Sequence, residues 1–177
     1  AAASARPRGA AAGARRLRFE DSAASLAYVR PTSLAELQQV LHAAGPAARI
    51  VAGNTGMGVA KYYAPGGPTG TGGSKGGAAG QPPELDATTV DVSAVAELVA
   101  PAAYSATTGV LTAGAAVTLE AVRAALDRVA AAPATAGTSA APVASELSRH
   151  LGRVATTQVR AVGSWAGNLC LAAAAPA

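Results

Sequence analysis

Two glycine-rich segments carry residue types suited to holding an anion: Gly53-Asn54-Thr55-Gly56 and Gly163-Ser164-Trp165-Ala166-Gly167-Asn168. A diphosphate concentrates negative charge and needs donors that approach closely. Backbone N–H groups in a turn can do this, and glycine removes the Cβ that would block the approach. Asn54 and Thr55 add side-chain donors and tolerate turn geometry. Either segment alone is equally an ordinary turn in a chain with 20 glycines. Neither matches a common phosphate loop. From Gly53 the order is G-N-T-G-M-G, not G-x-G-x-x-G, and a glycine-rich stretch stands where the ribose-binding acid would follow. The nearest approach to a Walker loop, Gly73-Ser74-Lys75-Gly76, lacks the required order.

The rest of the chain offers little chemistry of its own. His150, Ser145 and Asp127 have no partners at meaningful spacing and read as exposed helix polar residues, so no catalytic acid, base or nucleophile is assigned. Cys170 is the only cysteine, which excludes a disulfide within the chain and a cysteine-ligated iron–sulfur cluster built from it. With His42 and His150 far apart, no metal site is expected.

Charge is distributed unevenly. Arg6, Arg8, Arg15, Arg16 and Arg18 supply five of the 14 basic residues, and from Asp21 onward basic and acidic residues balance. The folded part is therefore not a nucleic-acid domain. No apolar run reaches the roughly 18–20 residues of a membrane span. Residues 1–25 read as a disordered linker or a targeting segment, and a soluble intracellular protein, cytoplasmic or peroxisomal, is expected, with organelle targeting left open. Half the residues are apolar, but many are alanine and only 3% are aromatic. At roughly 25 cal/mol per Å² of apolar area, such a composition makes a thin core.

The elements that must position the glycine segments follow from periodicity. Order is expected from about Tyr28. Ser33 with Glu36 forms a capping box, and Leu34, Leu37, Val40 and Leu41 make a helical face ended by Gly45-Pro46. Arg49-Ile50-Val51-Ala52 reads as a buried strand running into Gly53. Residues 64–83 read as a Gly/Pro-rich flexible loop. Thr89 to Val92 is a strand, Val95 to Leu98 a turn or short helical segment, and Gly109 to Gly114 a hairpin return. Thr118 caps a second helix with Leu119, Val122, Leu126 and Val129 inward. A third helix begins near Pro142, with Val143, Leu147 and Leu151 expected to face inward. Residues 172–177 read as a low-complexity tail. The alternation of strands and helices places the chain in the α+β or α/β class.

Several of these segments, in order, resemble the FAD-binding domain of the xanthine dehydrogenase and aldehyde oxidase family of molybdenum hydroxylases, a fold shared with vanillyl-alcohol oxidase and p-cresol methylhydroxylase. The resemblance runs from Tyr28 to about Leu171. It rests on Tyr28-Val29-Arg30-Pro31-Thr32-Ser33-Leu34 and on Ile50 to Gly58. It also rests on Val92-Ser93 with Glu97-Leu98, on Ala113 to Leu119, and on Gln158 to Ser164 leading to Gly167-Asn168-Leu169.

The resemblance implies residues 26–171 as the N-terminal part of a two-subdomain FAD-binding fold. By that likeness Ile50, Val51, Ala52, Gly53, Asn54, Thr55, Gly56 and Met57 form one grip on the cofactor, and Val154, Ala155, Ser164, Gly167 and Asn168 the other. It also implies an electron-relay role, in which the flavin passes electrons from iron–sulfur clusters to NAD or oxygen. The other flavin subdomain, the molybdenum cofactor and the 2Fe-2S clusters would lie on domains or subunits outside this sequence. Where the family carries Ser-Asp after the second loop, Leu171 to Ala177 has no acid. The competing expectation is a degenerate flavin fold or a non-catalytic interaction module.

Overall fold

The computed structural model describes residues 15–21, 26–56 and 88–174. Met57 and the Gly/Pro-rich stretch at 64–83 lie outside the described residues, as do Arg6 and Arg8. The architecture is α+β. Among the described residues a four-stranded sheet has the order β1 (Leu17–Asp21), β2 (Leu26–Arg30), β4 (Thr88–Asp91), β3 (Ala48–Val51), and a separate hairpin pairs β5 (Ala103–Ser105) with β6 (Val110–Thr112). β1 (Leu17–Asp21) runs antiparallel to β2 (Leu26–Arg30), while β4 (Thr88–Asp91) lies parallel to both β2 and β3 (Ala48–Val51). Order therefore begins before Tyr28: Phe19 sits opposite Tyr28 across the first ladder, with ring centroids 6.1 Å apart.

Helix α1 (Leu34–Ala44) links β2 to β3. The Ser33 hydroxyl accepts from the Glu36 N–H at 3.3 Å. The return arm of the capping box is displaced by one residue, because Glu36 Oε2 accepts from the Thr32 N–H at 2.9 Å instead. Gly45 adopts φ 56° and its N–H closes the helix on the Leu41 carbonyl. Leu37 is buried with Val90, Val92 and Val95, and Val40, Leu41, Ala48 and Ala52 pack around them.

β3 is not the buried strand its composition implies. Among the described residues it pairs only with β4, at the edge of the sheet, and Ile50 is 58% exposed.

A second cluster joins α2 (Leu119–Ala131) to α3 (Ala140–Leu151), with Leu126, Val129 and Ala144 buried and Tyr104, Leu111, Val122 and Leu151 against them. The inward face of α3 differs from the expected one. Ala144 and Ser148 are buried, whereas Val143 and Leu147 are 56% and 50% exposed. Small side chains let the two helices approach closely, and the Ser148 hydroxyl donates to the Asp127 carboxylate across the contact. Asp127, expected as an isolated surface acid, is thus part of the helix pairing.

Hairpin β5 (Ala103–Ser105) and β6 (Val110–Thr112) turns through Gly109 at φ 70°. A short α4 (Thr157–Arg160) and α5 (Trp165–Ala174) follow, so the alanine-rich residues are helical through Ala174. Among the described residues no helix is long and apolar enough to cross a membrane.

Candidate cofactor site

The parallel strands β3 and β4 end side by side, Val51 opposite Asp91. Ligands of open sheets containing parallel strands tend to gather beyond such ends. Past Val51 the chain bends at Ala52 and Gly53. Two successive residues are then left-handed, Gly53 at φ 77° and Asn54 at φ 54°. Asparagine is among the few side chains that visit this region readily. Both residues are exposed, and the backbone N–H groups of Asn54 and Thr55 have no hydrogen-bond partner among the described residues.

The second glycine segment is held from the other side by main-chain pairing. Leu119 N–H donates to the Gly163 carbonyl at 2.9 Å, and Trp165 N–H donates to Val117 at 3.0 Å. Thr118 and Ser164 thereby form an antiparallel bridge. The Trp165 indole N–H adds a 2.8 Å bond to the Gly114 carbonyl. Ser164 is buried, and its hydroxyl accepts from the Gly167 N–H at 3.1 Å, capping α5. The Ala166 N–H in that first turn has no partner among the described residues.

The two segments meet. A Cβ on Gly53 would stand 2.2 Å from the Val162 carbonyl oxygen, and one on Gly163 would stand 2.9 Å from the Thr55 hydroxyl oxygen. A Cβ on Gly56 would come within 2.8 Å of the Leu171 side chain on α5. The contact at Gly53 is with backbone and excludes a side chain, whereas those at Gly163 and Gly56 are with the side chains of Thr55 and Leu171.

The remaining expected residues fall around this junction. Ile50 is exposed on the edge strand, while Val51 and Ala52 are half-buried at its end. Gly167 and Asn168 are exposed in the first turn of α5, and the Asn168 N–H donates to the Ser164 carbonyl at 3.1 Å. Val154 and Ala155 are held differently, by Arg160. Arg160 is buried, 6% exposed. It donates to Glu120 Oε2 at 2.9 Å, to the carbonyls of Gly152, Val154 and Ala155 at 3.1, 3.0 and 3.0 Å, and to the Thr157 hydroxyl at 2.9 Å. The Arg160 hydrogen bond, reinforced by Arg123, holds the Glu120 carboxyl below its usual range against the opposing effect of burial.

A further polar pair fixes the sheet beneath the first loop. The Tyr28 hydroxyl donates to Asp91 Oδ2 at 2.6 Å. Burial, followed by the bond to Asp91, pushes the Tyr28 phenol up to about 12. For Asp91, burial pushes upward, but the Tyr28 hydroxyl and the Ser93 N–H donate to it and hold it below the usual carboxylate range. Sequence reasoning had given Arg160, Glu120, Tyr28 and Asp91 no role, although Tyr28 and Arg160 stand inside the segments that carry the family resemblance.

A family model for the FAD binding domain in molybdopterin dehydrogenase matches residues 78–176, more than half of the chain. The match takes in the second glycine segment, Arg160 and Glu120; the first segment precedes it. No curated protein matches the chain. The residues present fit FAD. N–H groups without a partner among the described residues lie at Asn54, Thr55 and Ala166, the glycine contacts hold the two loops together, and no carboxylate occurs within residues 49–56 or 152–174 to repel a diphosphate. The chain belongs to the family of FAD-binding domains found in molybdopterin dehydrogenases.

Proposed function

We propose that this chain is the diphosphate-gripping part of the flavin module of a xanthine dehydrogenase/aldehyde oxidase-like oxidoreductase. When bound, FAD supplies the redox chemistry, carrying electrons from iron–sulfur clusters to NAD or oxygen. The observation that carries the reading is the meeting of Gly53 with Val162, and of Thr55 with Gly163, at the end of a strand. Two loops distant in sequence are brought into one junction, where the N–H groups of Asn54, Thr55 and Ala166 have no partner among the described residues.

In this reading the chain's own residues bind and orient. Asn54 and Thr55 donate from the β3 side, and the first turn of α5 donates from the other through the Ala166 N–H and the Asn168 side chain, with Gly167 carrying no side chain to obstruct the approach. Ser164 holds that turn in shape through its cap. Ile50 to Gly56 form the first grip, continued by Met57, which lies outside the described residues. Val154 and Ala155 extend the second. Substrate oxidation at a molybdenum centre, the 2Fe-2S clusters and the other flavin subdomain belong to partner domains or subunits in this proposal.

The test is the visible spectrum and thermal midpoint of the purified chain. The expected result is a yellow protein with flavin bands, stabilised by about 2.7 kcal/mol at free FAD one hundred times the dissociation constant. A colourless protein whose midpoint does not move with excess FAD would overturn FAD binding by this chain.

A further inference from the structure

Arg160 makes five hydrogen bonds, and three of them, all from Nη1, go to carbonyls of one short loop, those of Gly152, Val154 and Ala155. The loop so gathered contains Ala155 at φ 48°, a left-handed conformation that alanine rarely adopts. The carbonyls of Val154 and Ala155 both point at the guanidinium. A trans peptide carries its N–H opposite its carbonyl, and there is no cis bond among the described residues. The N–H groups of Ala155 and Thr156 are therefore directed away from Arg160. Both residues are exposed, and neither N–H has a hydrogen-bond partner among the described residues. By contrast, the preceding N–H groups of Arg153 and Val154 are satisfied by His150 and Leu151.

We infer that Arg160 is a positioning residue for the cofactor site, anchored by Glu120. It gathers the carbonyls of Gly152, Val154 and Ala155 inward and thereby presents the N–H groups of Ala155 and Thr156 outward as paired donors to the anionic part of FAD. The inference rests on the FAD reading of this site. It also accounts for the burial of an arginine next to a proposed anion site: the charge does not meet the ligand but shapes the backbone that does. Lysine cannot replace it: Nη1 alone holds the three carbonyls, and an ammonium placed there leaves the Glu120 carboxylate and the Thr157 hydroxyl, which Nε and Nη2 hold, without their donor.

The test uses the full chain, with amide NMR and FAD titration of wild type and Arg160→Lys well below each unfolding midpoint, so that both are folded. Arg160→Met serves if the lysine variant does not fold. The expected result is that FAD shifts the amide resonances of Ala155 and Thr156 in wild type, and that the variant binds FAD about tenfold more weakly with those shifts lost, a change of about 1.4 kcal/mol. If wild type binds FAD while both amides stay unmoved, or if the folded variant binds equally well, the positioning role is overturned and the FAD reading stands. If wild type binds no FAD, the reading of the site falls and the inference with it.

Discussion

Gly53 and Val162, more than a hundred residues apart, touch backbone to backbone: a Cβ at position 53 would lie 2.2 Å from the Val162 carbonyl oxygen. Gly53→Ala therefore meets both a clash and a left-handed φ of 77°. We expect a loss of about 1–3 kcal/mol in stability and a marked loss of FAD affinity. Gly45→Ala is the control. Its φ is 56°, but nothing lies within 4 Å of an added Cβ. It should lower the thermal midpoint modestly and leave FAD binding intact. Equal effects of the two substitutions on FAD titration would contradict the junction.

Asn54 is left-handed, so the informative substitution is glycine, which keeps the backbone conformation and deletes only the amide. Asn54→Gly should weaken FAD binding about tenfold with little change in stability, if its side chain donates to the cofactor. Unchanged flavin content in the purified variant would remove that role.

Glu120 is held below the usual carboxylate range chiefly by the hydrogen bond from Arg160. A depressed acid contributes stability that is complete above its unfolded value near 4.5 and is lost as pH falls through the lower folded value. Thermal midpoints followed from neutral to acid pH should thus fall more steeply in wild type than in Glu120→Gln. Parallel curves would show that the pair carries no net coupling.

The Tyr28 phenol is pushed up to about 12 by burial and by Asp91. The associated stability is complete below pH 10 and is lost as pH rises toward 12. Ultraviolet titration of the four tyrosines should show one late component that Tyr28→Phe abolishes, with a loss of about 1 kcal/mol for the missing hydrogen bond. A late component that survives the substitution belongs to another tyrosine.

On α3 the buried residues are Ala144 and Ser148. Ala144→Leu should overpack the α2 contact and cost about 1–3 kcal/mol. Leu147→Gln, on the exposed side, should stay within about 0.5 kcal/mol. Urea denaturation distinguishes this face from the reverse assignment.

Local rules made part of this legible in the sequence. The Ser33 and Thr118 caps, the Gly45 stop and the Gly109 hairpin depend on a few neighbouring residues, and the structure has each of them. Failures came where the outcome depends on distant partners. Ile50 reads as core by composition, but sheet order puts its strand at an edge. Val143 and Leu147 outrank Ala144 in hydrophobicity, yet close helix packing selects the smaller residue. The N-terminal arginines disguised a strand, because the pairing of Leu17–Asp21 with Leu26–Arg30 is invisible until both are placed. For the site, glycine and asparagine were readable because their backbone geometry is unusual. Arg160 was not, because its role consists of carbonyls supplied by a loop whose shape the sequence does not state.

The central claim is that two glycine loops grip the diphosphate of FAD. Parallel titrations of the chain with FAD and with riboflavin, which has the same ring system and no phosphate, test it most directly. The account predicts saturable FAD binding with a rise in thermal midpoint, and far weaker binding of riboflavin. Equal affinity for the two, or no response to FAD, would contradict it.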